Sequence, residues 1–362
     1  MSIQPSVRPV DPVGQLLFVG ISGTTLDPAA RSLLERVRPG GVILFKRNVE
    51  SLEGLKALAG AIRGAVDPPP LLAIDEEGGR VTRLTPHISG LPAAWTTVSF
   101  GTPRLTEYWK RYGELLAALG IDIDFAPVVD LCPNDAPNGI ADRSYGTDPE
   151  KVTACAEAAI AGLRAAGITP TIKHFPGLGD TLLDSHHHLP SVQKKREAFE
   201  REDLVPFIRL GASSPAVMVG HGHYPWYAGP DPVAATLVKE ISTTLLRDRC
   251  GYRGCAISDD LEMKAVAVRV AWDELAPRAI ESGNDMVLIC HSPDRIAASH
   301  DALRRRVDRE PSFAARVHEA AGRVAALRAE AAAIRAAARP AGAIDGARAA
   351  LLGAAAAGAA RA

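Results

Sequence analysis

Eight short apolar runs, each followed by a stretch with helical spacing, constrain this chain more than any other feature. The runs are Leu16 to Gly20, Gly41 to Phe45, Leu71 to Asp75, Asp122 to Val129, Thr169 to Ile172, Ala216 to Val219, Cys255 to Ser258 and Asp285 to Cys290. Helical periodicity fills the gaps, at Pro28 to Val37, Leu52 to Val66, Leu105 to Leu119, Pro149 to Ala166, Asp203 to Leu210, Ala235 to Arg249, Trp272 to Ser282 and Pro293 to Val307. Strands that are apolar on both faces and alternate with helices pair in parallel, with helices covering each face. Eight such units in 362 residues predict an α/β fold, a single-domain (β/α)8 TIM-type barrel; an open doubly wound sheet is the alternative. The expected domain spans residues 1–338 and ends in a helical stretch from Ser312 to Ala337. Residues 339–362 are rich in Ala and Gly, are expected to be a frayed helix or disordered, and carry no assigned function.

Composition narrows the function classes. The apolar fraction of 47% and charged fraction of 23% suit a globular protein, and a net charge of −1 offers no basic field for nucleic acid or an anionic membrane. Five cysteines with no CxxC spacing lie in or beside apolar segments, and read as reduced, mostly buried thiols of a cytosolic protein. No apolar core of a signal peptide appears in MSIQPSVRPVDPVGQ. The expected location is cytoplasmic, and the expected state a monomer.

In a barrel of this type, chemistry gathers where the strands end. Polar residues are placed accordingly. Asp75, Glu76 and Glu77 follow the third run, and Asp130, Asp142 and Arg143 the fourth. Lys173 and His174 follow the fifth, His221 and His223 the sixth, and Asp259 and Asp260 the seventh. The fifth run opens into TPTIKHFPGLGDTLLDSHHHLP, whose glycines and Pro176 break regular structure while carrying Asp180, Asp184 and His186 to His188. A long polar loop after a buried strand is a place for function.

These residue types suit few chemistries. No GxxxxGKS/T is present, and no GxGxxG follows a strand, so a nucleotide site is not expected. His221-Gly222-His223 keeps a metal site open as a rival reading. Sugar chemistry is the other. A glycosidase needs a carboxylate near the anomeric carbon and a proton donor for the leaving oxygen. Asp259 suits the first role, and His186 with Asp184 as its partner suits the second. Asp75, Arg143, Lys173 and His174 could hold sugar hydroxyls, or could be ion pairs at the rim, with Asp75 and Arg143 pairing to one another.

IDEEGGRVTRL, FAPVVD, DRSYG, KHFPGLGDTLLDSHHHLP and ISDDLEM, in that order and with PGGVILFKRN upstream, resemble the family 3 glycoside hydrolases. The resemblance runs from about Val13 to Pro293 and is strongest to the single-domain bacterial β-N-acetylglucosaminidases of peptidoglycan recycling. It implies a retaining enzyme with neither cofactor nor metal. Asp259 would be the nucleophile, His186 the general acid/base, and Asp184 its orienting partner. Asp75, Arg83, Arg143, Lys173 and His174 would contact the N-acetylglucosamine ring. The implied substrate is N-acetylglucosaminyl-1,6-anhydro-N-acetylmuramic acid, with or without its peptide. A phosphorylase or β-glucosidase built on the same site is the alternative. Two positions depart from the family pattern. Leu178 stands where a second His is frequent, and Glu76 where Gln is frequent. Leu178 is expected to alter loop docking or the leaving-group side, whereas Glu76, Asp260, His187 and His188 carry no expected catalytic role.

Overall fold

The computed structural model describes residues 11–181, 189–339 and 342–360. Eight parallel strands close into a barrel: β1 (Leu17–Gly20), β2 (Gly41–Leu44), β3 (Leu71–Ile74), β4 (Ile123–Asp124), β5 (Thr169–Phe175), β6 (Ala216–Val219), β7 (Cys255–Asp260) and β8 (Met286–Ile289). The ring closes where Phe18 of β1 pairs with Leu288 of β8. The helices after the strands are α1 (Pro28–Val37), α2 (Leu52–Arg63), α3 (Thr102–Leu119), α4 (Pro149–Ala165), α5 (Leu204–Leu210), α6 (Glu240–Arg249, wound as a π-helix), α7 (Trp272–Ser282) and α8 (Pro293–Arg309). The (β/α)8 barrel predicted from the alternation is the fold observed.

Local chemistry explains where the elements begin. The side chains of Asp27, Ser51 and Asp148 accept backbone N–H groups at the starts of α1, α2 and α4, and proline fills the first turn of α1 and α4. Inside the barrel, Phe18, Ile43, Ala73, Phe125, Met218, Ile257 and Leu288 form one apolar plug, with the rings of Phe18 and Phe125 edge to face at 5.4 Å. Val324, Leu327 and Ala331 of α9 (Pro311–Ala337) close its lower end. Buried Asp285 fastens that helix by accepting from Arg316 at 2.9 Å and Arg323 at 3.1 Å. The polar site is thereby confined to the opposite mouth.

Three elements differ from expectation. The fourth run, expected as a strand from Asp122 to Val129, has regular pairing only at Ile123–Asp124. Pro127 has no N–H to give the ladder, although Val128 rejoins β5 through a bridge to Lys173. The fifth strand is longer than expected and carries Lys173 and His174 within it. The Ala/Gly-rich end is neither frayed nor disordered over Ile344–Ala359, which forms helix α10 against α3 and buries Ile344, Ala347, Leu351 and Ala355. Its packing uses small residues, with Gly358 lying against the ring of Phe100.

Four of the five cysteines are buried, Cys250 is half-buried, and all five are free thiols. Among the described residues, no helix is long and apolar enough to cross a membrane.

Candidate active site

Beyond β3 the chain turns into a short hairpin, Glu76–Gly78 paired with Val81–Thr82, around Gly78 and Gly79, both at positive φ. In extended backbone, neighbouring side chains point to opposite sides. Asp75 and Glu77 therefore face the barrel mouth, while Glu76 faces away.

Lys173 sits between the two mouth-facing acids, 2.8 Å from Asp75 and 2.6 Å from Glu77, and is only 2% exposed. Arg143 grips Glu77 with two nitrogens, at 2.7 and 2.8 Å, and is steadied by the Gly139 carbonyl at 3.0 Å. Arg83 reaches the other oxygen of Asp75 at 3.1 Å. The rings and cations around Phe45 form a second wall, with the guanidinium groups of Arg47 and Arg83 4.4 and 5.5 Å from its ring centre.

Charge balance decides the protonation states. Burial alone would raise the Asp75 carboxyl, but Lys173 and Arg83 outweigh it and hold Asp75 below the usual carboxylate range. Glu77 is held well below that range in the same way, with Arg143 and Lys173 overcoming burial. Burial would lower Lys173; Asp75 and Glu77 reverse this and keep it charged. The site thus presents ionised donors and acceptors fixed before any ligand arrives.

His174 is oriented from both sides. Its Nδ1 lies 2.7 Å from Asp130, and its Nε2 lies 3.3 Å from an Arg143 nitrogen. Arginine can only donate, so this arrangement makes Nε2 the acceptor and leaves the proton on Nδ1 for Asp130. Asp130, fully buried, also accepts the backbone N–H of Leu178 at 2.7 Å and so ties the following loop to the site.

Asp259 and Asp260 end β7. Asp259 lines the pocket, and one of its oxygens accepts the Asp260 N–H at 2.8 Å. Asp260, expected to carry no catalytic role, also lines the pocket. Burial and then the neighbouring charges of Glu262 and Asp259 push its carboxyl up to about 7. The cavity these residues enclose measures about 540 Å³. This is ample for a sugar ring and part of its aglycone.

Asp75, Arg83, Arg143, Lys173, His174 and Asp259, six of the residues expected at the site, line this one pocket. The expected direct pairing of Asp75 with Arg143 does not form, because Arg143 is taken by Glu77 and Asp75 by Lys173 and Arg83. Asp184 and His186, with His187 and His188, lie outside the described residues. Of the described residues that flank their segment, Thr181 and Pro190 stand on the pocket wall. A bridge between Thr181 and Val192 closes the base of that segment.

Leu178 lines the pocket and also packs into an apolar cluster with Val128, Cys132 and Ile140, as a side chain that lost its polar group would. His221 is engaged at both nitrogens, by Thr236 at 2.8 Å and the Asp260 carbonyl at 2.9 Å. It holds strand ends together. Sequence reasoning missed the parts played by Glu77 and Asp130. The signal for Glu77 was the period of two after β3, which puts it on the same face as Asp75.

Comparison with known proteins agrees with this geometry. Residues 11–327 match the glycosyl hydrolase family 3 N-terminal domain. A beta-hexosaminidase of Alkalilimnicola ehrlichii is 40% identical over 304 residues, which cover 82% of this chain and 85% of that protein. A glycoside hydrolase family 3 beta-N-acetylglucosaminidase from Paenibacillus sp. str. FPU-7 superimposes with a TM-score of 0.82 at 35% identity; the match covers 89% of this chain and 62% of that longer one. NagZ from Neisseria gonorrhoeae, solved with N-trifluoroacetyl-D-glucosamine, gives 0.71 at 28% identity, over 85% of this chain and 98% of its own.

Proposed function

The chain belongs to glycosyl hydrolase family 3, and on that premise we propose that it removes terminal β-linked N-acetylglucosamine from peptidoglycan turnover fragments with retention of configuration. It is a β-N-acetylhexosaminidase. The substrate in this reading is N-acetylglucosaminyl-1,6-anhydro-N-acetylmuramic acid and its peptides, met in the cytoplasm by a monomer. The observation that carries the reading is the position of Asp259, on the wall of the same pocket as the Asp75–Lys173–Glu77–Arg143 network.

In the proposed reaction an Asp259 oxygen attacks the anomeric carbon as the bond to the leaving oxygen breaks. His186, held by Asp184, gives its proton to that oxygen. Water then loses a proton to His186 and attacks the glycosyl ester, freeing Asp259. Two inversions give net retention. Asp75, Arg83, Lys173, Arg143 and His174 hold the ring through charge-assisted hydrogen bonds, and their mutual pairing means they need little rearrangement on binding. The nearness of Thr181 and Pro190 to the pocket supports the acid/base assignment, since the segment between them carries Asp184 and His186.

Hydrolysis of nitrophenyl β-N-acetylglucosaminide, beside the β-glucoside and each with and without phosphate, tests the proposal. Phosphate-independent release from the N-acetyl substrate is expected. Release only with phosphate makes the protein a phosphorylase, and preference for the glucoside removes the link to peptidoglycan. Asp259→Ala is expected to lower kcat by about 10⁴-fold or more; retained turnover would refute the nucleophile.

A further inference from the structure

One buried acid beside the pocket takes no part in the sugar chemistry. Glu76 is 0% exposed. One of its oxygens accepts the N–H groups of Arg83 at 2.6 Å and Leu84 at 2.9 Å. The other accepts the hydroxyl of Tyr112 on α3. Its own N–H donates to Asp124 of β4 at 3.0 Å. The groups that face it are Tyr112 and Tyr108 from α3, Asp124 from β4, and Arg83 just beyond the hairpin. Asp75 and Glu77 on its own segment turn the other way, to Lys173.

Arg83 is what this arrangement places. Its guanidinium lines the pocket and reaches Asp75. Its Nε is buried with no hydrogen-bond partner among the described residues. The Glu76 side chain thus holds the backbone of a residue whose guanidinium stands on the pocket wall.

We propose that Glu76 is a positioning residue: its ionised carboxylate clamps the Arg83–Leu84 backbone to α3, fixes the Arg83 guanidinium at the sugar subsite, and tightens sugar binding. The inference rests on the reading of Arg83 as a sugar contact. An ionised acceptor makes hydrogen bonds roughly twice as strong as a neutral one. Protonating Glu76 therefore loosens the clamp without removing it. A Gln keeps the shape and the acceptor but never the charge, so Glu76→Gln imitates the protonated form at every pH. The carboxyl titrates where this matters: burial pushes it up to about 7 against the hydrogen bonds that favour its ionised form. In this chain the glutamate makes sugar affinity sensitive to protons near neutrality.

The test compares the full-length native protein with Glu76→Gln and Glu76→Ala on nitrophenyl β-N-acetylglucosaminide from about pH 5.5 to 8.5. Hydrogen exchange of the peptide containing Arg83 and Leu84 is followed alongside. Native KM is expected to fall about threefold relative to E76Q as pH rises through about 7, the gain from charge assistance. The pH dependence contributed by Asp260 on the pocket wall is common to both proteins and cancels in that ratio. In E76A, KM rises about tenfold while kcat changes less, the pattern of lost ground-state binding, and exchange at Arg83 and Leu84 quickens. Superimposable KM profiles for native and E76Q would overturn the inference. So would unchanged exchange in E76A, or faster exchange with an unmoved KM. If the native protein does not cleave the N-acetylglucosaminide, the functional reading fails, and the exchange data still decide whether the clamp exists.

Discussion

Replacing Glu76 by Gln removes one titrating carboxyl and nearly preserves its shape, so its effect on stability is calculable. Burial, opposed by the hydrogen bonds from Tyr112, Arg83 and Leu84, moves the carboxyl from 4.5 up to about 7. The folded protein therefore keeps a proton in a range where the unfolded chain has released it. The sign follows: the native state binds more protons than the unfolded state, so this residue stabilises the fold as pH falls. Its contribution is complete below the unfolded value of 4.5 and is lost as pH rises through about 7. The full contribution is about 3 kcal/mol, and about 2 kcal/mol of it disappears between pH 5.5 and 8.5.

The glutamine lacks this pH dependence. Its oxygen can accept the two N–H groups, and its amide can donate to the Tyr112 oxygen at any pH. Effects of the substitution that do not change with pH cancel when two pH values are compared. Urea unfolding of native and E76Q at pH 5.5 and 8.5 should show the variant gaining about 2 kcal/mol on the native protein at the higher pH. Equal m-values would confirm that the same transition is measured. A stability difference constant within about 0.5 kcal/mol across that range would refute the reasoning, because Glu76 would then not change protonation there.

Other perturbations test separate parts of the site. Lys173→Met strands Asp75 and Glu77 without their shared cation; it should cost about 3–5 kcal/mol in denaturant unfolding and sharply raise KM. Loss of affinity without loss of stability would mean that the network is not a folded-state support. His186→Ala should lose far more activity on the natural disaccharide than on nitrophenyl substrates, whose leaving groups need little protonation. Equal loss on both would make His186 structural. Leu178→His buries a polar ring among Val128, Cys132 and Ile140, and should destabilise by about 1–3 kcal/mol. An unchanged urea midpoint would show that the cluster does not depend on an apolar group there.

The barrel was legible because its strands are apolar on both faces and its helices begin at capping residues. Neither signal depends on distant contacts. What was not legible depended on them. Residues 76–82 give no sheet signal, because strands of three and two residues are too short for a pattern and pair across two glycines at positive φ. The fourth strand reads as continuous, yet Pro127 withholds its N–H from the ladder. Helix α10 is hidden because its contact surface is alanine and glycine, whose hydrophobic signal is weak. Only the facing surface of α3 and the Phe100 ring make that surface a seat. At the site, the cationic and histidine residues were found by their place at strand ends. Glu77 was missed because it looks like one of a run of acids.

That run, Asp75-Glu76-Glu77, shows why position outweighs residue type here. Alternation along the extended backbone sends the outer two acids to the mouth, where Lys173, Arg143 and Arg83 keep them ionised. The middle one is buried beside Tyr108, Tyr112 and Asp124, where burial favours its proton. Three adjacent carboxyls thus divide into two fixed charges and one that responds to pH. The fixed pair orients the cations on the pocket wall. The responsive one holds the backbone of Arg83. A proton taken up outside the pocket can therefore alter what the pocket binds, through a residue that never touches the ligand.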